Sequence, residues 1–176
     1  MVLTQAALTI LTLGALGSAA TARQQMPPGM THEQHLKQMQ KDAELDHRGA
    51  DAMGFDQAVT THHFILARDG GAIEVTVKDP SDEPNRQSIR SHLKEIADQF
   101  AAGDFQKPLM THGEAPDGVA EMTAYRSGIS YAFESMPEGG RVRIRTTDPT
   151  ALAAVHRFLQ YQIREHKTGD PLTVRQ

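Results

Sequence analysis

Histidine and methionine are the residues of this sequence whose side chains could do chemistry. The chain contains nine His and eight Met but no Cys, which excludes disulfides, thiolate nucleophiles and cysteine-type zinc sites. Imidazole nitrogen suits Cu(II), Ni(II) and Zn(II), whereas imidazole combined with thioether sulfur suits Cu(I). These residue types therefore favour a transition-metal site, for copper first and for zinc as the second choice.

A set of histidines in the central and C-terminal parts of the chain could form such a site within a folded domain. The favoured ligands are His62, His63, His92 and His112. The remaining members of the set are His156 and His166. Three or four imidazoles that meet at one end of a sheet would bind zinc or copper. Their spacing does not require them to meet, so the alternative is a set of ordinary surface and core-edge histidines.

The N-terminal part of the chain offers auxiliary ligands. In MPPGMTHEQHLKQMQ, His32 and His35 stand three residues apart, and His35 and Met39 stand four apart. On a helix these pairs are neighbours, so the segment could be an arm that captures copper. The alternative is a polar, solvated helix with ordinary gap-filling methionine, because no spacing here matches a known metal signature.

Composition and motifs argue against several other classes of function. A formal charge of −4 leaves no basic surplus to bind nucleic acid. Six Phe, three Tyr and no Trp provide few platforms on which bases or sugars could stack. The sequence lacks a G-x-S-x-G elbow, a P-loop, H-E-x-x-H and G-x-G-x-x-G. An enzyme is therefore not favoured, although hydrolysis by histidine acid–base chemistry stays open.

Residues 1–22 differ in composition from the rest of the chain. They carry no charged side chain, and their apolar run Ala6–Leu16 is shorter than the roughly 20 residues that span a bilayer. Ala20-Thr21-Ala22 offers an A-x-A cleavage site. We expect a signal peptide here, despite its lack of a basic n-region, and a periplasmic or secreted mature protein without a membrane span. A buried N-terminal helix is the alternative.

Residues 23–53 read as a Met/His-rich linker followed by a polar helix. Thr31 and Gln34 form a capping box, which predicts a helix that begins there and extends to about Ala52. Residues 54–176 follow as a single α+β domain.

Two β-hairpins are predicted within that domain. Thr60–Ala67 and Ala72–Lys78 flank Asp69-Gly70-Gly71, a turn sequence that supplies positive φ. Ile129–Met136 and Arg141–Thr147 flank Glu138-Gly139-Gly140 in the same way.

The adjacent histidines of the first strand must face opposite ways, because successive strand residues alternate between the faces of a sheet. With Asp69-Gly70 as the turn, Phe64 lies opposite Val75. His62 then continues the apolar, inward row, and His63 faces outward with the polar row.

The two hairpins belong to a larger repeat. FILARDGGAIEVTVKDP (64–80) aligns with FESMPEGGRVRIRTTDP (133–149) at an offset of 69, so that His62 aligns with Tyr131. The helical patterns that follow align at an offset of 66. We predict an α+β fold in which two ββα units, residues 60–104 and 129–170, form a four-stranded antiparallel sheet with both helices on one face. Chance similarity of two hairpin–helix units is the alternative.

The outward face of this sheet supports a second hypothesis of function. Arg141, Arg143 and Arg145 share the face, and Glu134 is expected opposite Arg143. The protein would then be a metal-free periplasmic interaction module that binds a protein partner or forms a homodimer through these arginines. A row of arginines can equally be an ordinary solvated face.

The blocks MGFDQ, TTHHF, GGRVRI and FLQYQIREHKTGD resemble a family of small exported bacterial proteins of uncharacterised function. The blocks lie in order between Met53 and Pro171. This resemblance implies export and a compact α+β domain, and it implies no activity. Such sequences are sometimes labelled aspartate carbamoyltransferase, but this chain lacks a Ser-Thr-Arg-Thr phosphate-binding motif and is too short, so we do not expect that activity.

Overall fold

The computed structural model describes residues 29–174, and within the first helix it describes only the backbone of residues 42 and 45–52. The predicted signal peptide, residues 1–22, and the beginning of the linker lie outside the described residues. The helices are α1 (His32–Met53), α2 (Glu83–Ala102), α3 (Gln106–His112), α4 (Val119–Ala124) and α5 (Pro149–Glu165). The strands are β1 (Thr60–Ala67), β2 (Gly70–Val77), β3 (Ile129–Met136) and β4 (Gly139–Thr146), and single 3-10 turns span Gln57–Val59 and Arg126–Gly128. None of the described helices has the length and apolar character needed to cross a membrane.

The helices begin where the sequence provides caps. The predicted capping box is confirmed at α1, where the Thr31 N–H donates to Gln34 Oε1 at 2.8 Å and the Gln34 N–H donates to Thr31 Oγ1 at 3.2 Å. The two long helices of the repeat begin alike. Asp82 and Asp148 each accept a hydrogen bond from a backbone N–H of the first turn, and each precedes a proline in that turn.

The four strands form one antiparallel sheet in the order β1-β2-β4-β3, which confirms the predicted α+β class. Helices α2 and α5 pack against the sheet, α2 mainly on β3 and β4 and α5 mainly on β1 and β2. The core between sheet and helices consists of aliphatic and aromatic side chains, among them Val75, Leu93, Val142 and Leu159, each at most 2% exposed. Burial of this apolar surface is the main force that holds the layers together.

The repeat seen in the sequence is also a repeat of strand pairing. Phe64 pairs with Ile73 in the first hairpin, and Phe133 pairs with Val142 in the second, which is the same pairing 69 residues later. Strands β2 and β4 join the halves, with Ile73 directly opposite its equivalent Val142. The two ββα units are therefore related by a local two-fold axis at this pair.

The predicted register of both hairpins was wrong by two residues. The first turn is Arg68-Asp69, so Phe64 pairs with Ile73 rather than with Val75. Gly70 is the first residue of β2 and has φ +140°. A Cβ at this position would lie 2.1 Å from the Ile144 carbonyl oxygen of β4, so the position favours glycine. A two-residue shift moves every partner but leaves each side chain on its face, so the inward and outward assignments are confirmed.

The same shift alters the outward face of the second hairpin. Glu134 pairs with Arg141 and not, as predicted, with Arg143. Arg143 pairs with Ala132 instead.

One helix lies where the sequence predicts a loop. The segment 104–118 is rich in Pro and Gly, yet it contains α3. Pro108 falls in the first turn, where a missing N–H is tolerated, and Gly113 ends the helix with φ +74°. This short helix carries Lys107 and His112 towards the core.

We expect Gly71→Ala to destabilise the fold, because a Cβ at position 71 would lie 2.2 Å from Leu159 Cδ1 and 2.4 Å from the Ile65 carbonyl oxygen. Overpacking of this kind costs about 1–3 kcal/mol or more. Gly128→Ala is the matched control, since a Cβ there meets nothing within 4 Å. Urea unfolding of the three proteins checks this, and equal loss of stability in the two variants would contradict the packing explanation.

Candidate functional site

A small cavity lies beneath the inner face of the sheet, and histidines dominate its polar lining. Its volume is about 70 Å³. The imidazoles come from four different elements: His62 from β1, His92 from α2, His112 from α3, and His166, the residue that caps the end of α5. Gln162 of α5 and Met53 of α1 also line it.

Three of the four histidines predicted as ligands meet at this cavity, and one does not. His62, His92 and His112 line it together, while His63 lies on the other face of β1. His166 takes part although it was not among the favoured ligands. The last of the set, His156, is directed at backbone carbonyl oxygens, with its Nε2 2.9 Å from Ala67 O.

The imidazole rings are spaced as ligands of one ion would be. The ring centroids of His112 and His166 are 5.1 Å apart, and those of His62 and His166 are 6.1 Å apart. Two imidazoles bound to one metal at about 2.0–2.1 Å place their ring centroids roughly 5–6.5 Å apart. Across residues 29–174, however, no three His, Asp or Glu side chains already form a group that could hold a metal ion. Shared coordination would require the rings to turn.

The hydrogen bond of His112 determines which of its nitrogens is free. His112 Nε2 lies 3.0 Å from Gln162 Oε1, and because an amide oxygen only accepts, Nε2 carries the proton. Nδ1 therefore keeps its lone pair. This atom is buried and has no hydrogen-bond partner among the described residues, and the same holds for His62 Nε2 and Gln162 Nε2. Metal-binding histidines commonly donate their second nitrogen to a carbonyl or carboxylate oxygen in this way.

Burial keeps these imidazoles neutral. It lowers the pKa of His62 to about 4, with a further contribution from His63, and it lowers the pKa of His92 to about 4, with a further contribution from Lys107. It lowers the pKa of His166 to about 3 and also lowers the pKa of His112. A neutral imidazole offers a lone pair without competition from protons, so the cavity is prepared for a Lewis-acidic ligand at neutral pH.

The equivalent region of the other half is filled by aromatic rings. His62 corresponds to Tyr131 at the offset of 69, while His92 corresponds to Phe158 and His166 to Phe100 at the offset of 66.

These equivalents pack against one another as part of the core. The Phe100 ring lies 5.8 Å from both Tyr131 and Phe158 in edge-to-face contacts. The backbone therefore does not require histidine at these positions. Two of these aromatic equivalents, Phe100 and Phe158, also line the cavity that the imidazoles line.

His63 has a separate role at the edge of the sheet. Its Nδ1 lies 3.0 Å from Asp170 Oδ1, and Asp170 Oδ2 accepts hydrogen bonds from the Phe64 N–H at 2.9 Å and from Thr168 Oγ1 at 2.7 Å. The C-terminal segment is thereby held against the outer edge of β1. An edge so occupied is protected from pairing with another chain.

The auxiliary ligands lie on α1, away from the cavity. His32 and Met39 are exposed and His35 is half-buried, and none of the three lines the cavity. Helix α1 packs against α3, and Lys41 forms an ion pair with Glu165 at 3.0 Å.

The arginines of the outward face are engaged within the sheet. Arg141 donates to Glu74 at 2.6 Å and to Glu134 at 3.3 Å. Arg143 donates to the Gly71 carbonyl oxygen at 2.7 Å and pairs with Asp69. These bonds account for the arginine row without a partner, so association through this face stays a prediction.

Gln162 and Met53 of the cavity were not predicted as ligands, and His166 was predicted as a member of the wider histidine set but not as one of the four favoured ligands. The available signal was the internal alignment, which places His166 over Phe100 and Gln162 over Ile96. A polar residue in one ββα unit at a position that is apolar in the other unit indicates a place where apolar core packing is interrupted.

Comparison with models of protein families, with curated proteins and with solved structures finds no match to this chain. The resemblance to small exported bacterial proteins therefore stays a prediction. The site has to be interpreted from its own chemistry.

We expect the free energy of unfolding to fall as pH decreases from about 6.5, the ordinary pKa of histidine, towards about 4. In this pH window the histidines are protonated in the unfolded chain but stay neutral when they are buried in the folded protein. The unfolded state therefore binds more protons, and lowering the pH favours unfolding. Each such histidine contributes at most about 1.4 kcal/mol per pH unit. His166→Phe, which installs the residue of the other half, should make the dependence shallower.

Urea unfolding at several pH values measures this slope. His32→Gln, which changes an exposed histidine outside the cavity, is the control and should keep the wild-type slope. An unchanged slope in His166→Phe would show that burial of this imidazole does not oppose its protonation.

Proposed function

We propose that this chain is an exported copper-binding protein whose histidine cavity holds one Cu(I) ion. His166 would be the central ligand, with His62 Nε2 and His112 Nδ1 as its partners. The observation that carries the proposal is the meeting of neutral, buried imidazoles, two of which have a ring nitrogen without a hydrogen-bond partner among the described residues. Imidazole nitrogen and the thioether of Met53 are donors that copper accepts.

The charge of the cavity favours a monovalent ion. Among the described residues that line it, the charged side chain is Lys107, and none is a carboxylate. A divalent ion held by neutral ligands would leave two uncompensated charges in largely apolar surroundings. The desolvation cost of an ion rises with the square of its charge, so it is about fourfold higher for Zn²⁺ or Cu²⁺ than for Cu(I) of similar size.

The coordination preference of Cu(I) also agrees with the arrangement of the rings. Zinc sites in proteins take four ligands in a tetrahedron, whereas Cu(I) is satisfied by two or three soft or neutral donors. The pairs His62–His166 and His112–His166 have suitable ring separations of 6.1 and 5.1 Å. The His62 and His166 rings are stacked with an interplanar angle of 8°, so at least one of them would have to rotate before both lone pairs could reach one ion.

The size of the cavity argues against a bound organic substrate. Its volume of about 70 Å³ compares with roughly 300–1,000 Å³ for pockets that bind drug-sized ligands. A metal ion, with or without a small inorganic ligand, is the class of guest that this space favours.

Two features of the sequence support an exported copper-binding protein. The uncharged segment 1–22 supports secretion, and a chain without cysteine must bind copper through His and Met. The exposed His32 and Met39 of α1 would then be auxiliary donors that receive the ion before it reaches the cavity.

We expect purified protein to take up one Cu(I) per chain in anaerobic competition with a chromogenic chelator. Cu(I) should raise the melting temperature, since it binds the folded state alone, whereas Mg²⁺ and Ca²⁺ should not. His166→Phe and His62→Tyr should each weaken Cu(I) binding at least about tenfold. Both place the residue of the sister unit in the cavity, so they are expected to fold.

The matched control is His63→Gln, which alters the neighbouring histidine on the opposite face and should retain the wild-type affinity. A stoichiometry below one copper per ten chains, or equal affinity in all four proteins, would exclude the histidine cavity as the copper site. Tighter binding of Zn²⁺ than of Cu(I) would contradict the charge argument.

A further inference from the structure

A second, outer cleft adjoins the histidine cavity and shares part of its wall. The outer cleft has a volume of about 310 Å³ and opens between α2, α3 and the end of α1. Met53, His92 and Lys107 line both spaces. The side chains that separate the cavity from the surface are therefore a thioether, an imidazole and an ammonium group.

An ion pair spans this shared wall. Lys107 Nζ of α3 lies 2.8 Å from Glu95 Oε2 of α2. The Lys107 side chain is only 24% exposed, whereas the Glu95 side chain is 52% exposed. Lys107 lines both spaces whereas Glu95 lines the outer cleft alone, so the carboxylate holds the lysine side chain where the two spaces adjoin, at the mouth of the cavity.

The ion pair controls the electrostatic potential at the mouth. An unpaired ammonium would repel an approaching cation, and the neighbouring carboxylate offsets that repulsion. Two unit charges about 4 Å apart interact about fourfold more strongly near a protein surface than in bulk water. The mouth therefore tolerates a monovalent cation as long as Glu95 remains charged and in place.

The donors along the wall form a chain from outside to inside. Ser88, Ser91 and Glu95 belong to the outer cleft alone, and Met53 and His92 belong to both spaces. His112 and His166 lie in the inner cavity. A soft cation could pass from one donor to the next without losing all its ligands, because thioether and imidazole both suit Cu(I).

We propose that the outer cleft is the route by which Cu(I) reaches the histidine cavity, that Met53 and His92 relay the ion, and that the Lys107–Glu95 ion pair gates the passage. This inference rests on the copper-binding function proposed above. The gate changes how fast copper enters and leaves, since it lies beside the path and outside the inner set of ligands.

The test is the rate of Cu(I) transfer from a coloured Cu(I)–chelator complex to the apoprotein, followed anaerobically by stopped flow. Lys107→Leu removes the charge without adding a copper donor, and it should accelerate both loading and release at least about fivefold. Glu95→Gln leaves the ammonium uncompensated and should slow loading and release by a similar factor. Met53→Leu removes the thioether relay and should slow loading and release together.

Lys94→Leu is the matched control, because Lys94 lies on α2 with Glu95 and forms an exposed ion pair with Asp98 at 3.1 Å, and it lines neither space. It should load and release copper at wild-type rates. Circular dichroism establishes that each variant is folded. In Lys107→Leu and Glu95→Gln the equilibrium affinity should change less than either rate, whereas Met53→Leu also removes a donor of the cavity and should weaken the affinity.

The outcomes separate the two proposals. Copper bound at wild-type rates by Lys107→Leu, Glu95→Gln and Met53→Leu overturns the gated route and leaves the copper site in place. Equal acceleration in Lys107→Leu and Lys94→Leu also overturns the gate, because the effect would then come from the overall charge of the protein. Absence of copper from every protein, wild type included, overturns the site and the route together.

Discussion

The pairing of β2 with β4 is the contact on which the rest of this molecule depends. It sets Ile73 opposite Val142 and so joins two hairpins that are otherwise far apart in the chain. A two-stranded hairpin is only marginally stable in water, and three or more strands with a buried face are needed for independent stability. Once the central pair has formed, one continuous inner face exists, and α2 and α5 both bury their apolar sides against it.

The local two-fold symmetry that follows makes the chemistry of the two halves comparable. Equivalent positions have equivalent backbones, so a difference between them reflects the side chains. At one site Phe100 and Phe158 pack edge to face and are each 1% exposed. At the equivalent positions stand His166 and His92, which line the histidine cavity together with those two phenyl rings. A phenyl ring needs no hydrogen-bond partner when it is buried, whereas a buried imidazole does.

Much of this fold follows from alternation and repetition in the sequence. Alternating polarity assigned His62 and His63 to opposite faces, and an error of two residues in register could not change that, because side-chain direction repeats every two residues. The register places Gly70 at the start of β2, where a Cβ would lie 2.1 Å from the Ile144 carbonyl oxygen. That contact comes from a strand in the other half of the chain, so local turn preferences could not reveal it.

The site was harder to predict because it depends on where the end of α5 and the short helix α3 lie relative to the sheet. His166 follows the last turn of α5, and its place beside His62 depends on how α5 crosses β1. His112 depends on α3, a helix inside a segment whose composition predicts a loop. Only the internal alignment, with His166 over Phe100, linked the sequence to the cavity.

The cavity is costly to the chain that carries it. A buried polar atom without a hydrogen bond costs about 1–3 kcal/mol. His62 Nε2, His112 Nδ1 and Gln162 Nε2 are buried around one space and have no hydrogen-bond partner in the part of the chain that the structure describes. The phenyl rings at the equivalent positions need no such partner, although Tyr131 Oη is also buried without one among the described residues. A ligand that accepts lone pairs from two of these nitrogens would remove the penalty on binding, so the same atoms that weaken the empty protein would strengthen its complex. In the proposed Cu(I) complex, the stability lost in the unliganded state and the affinity for the ion would be two consequences of one arrangement of imidazoles.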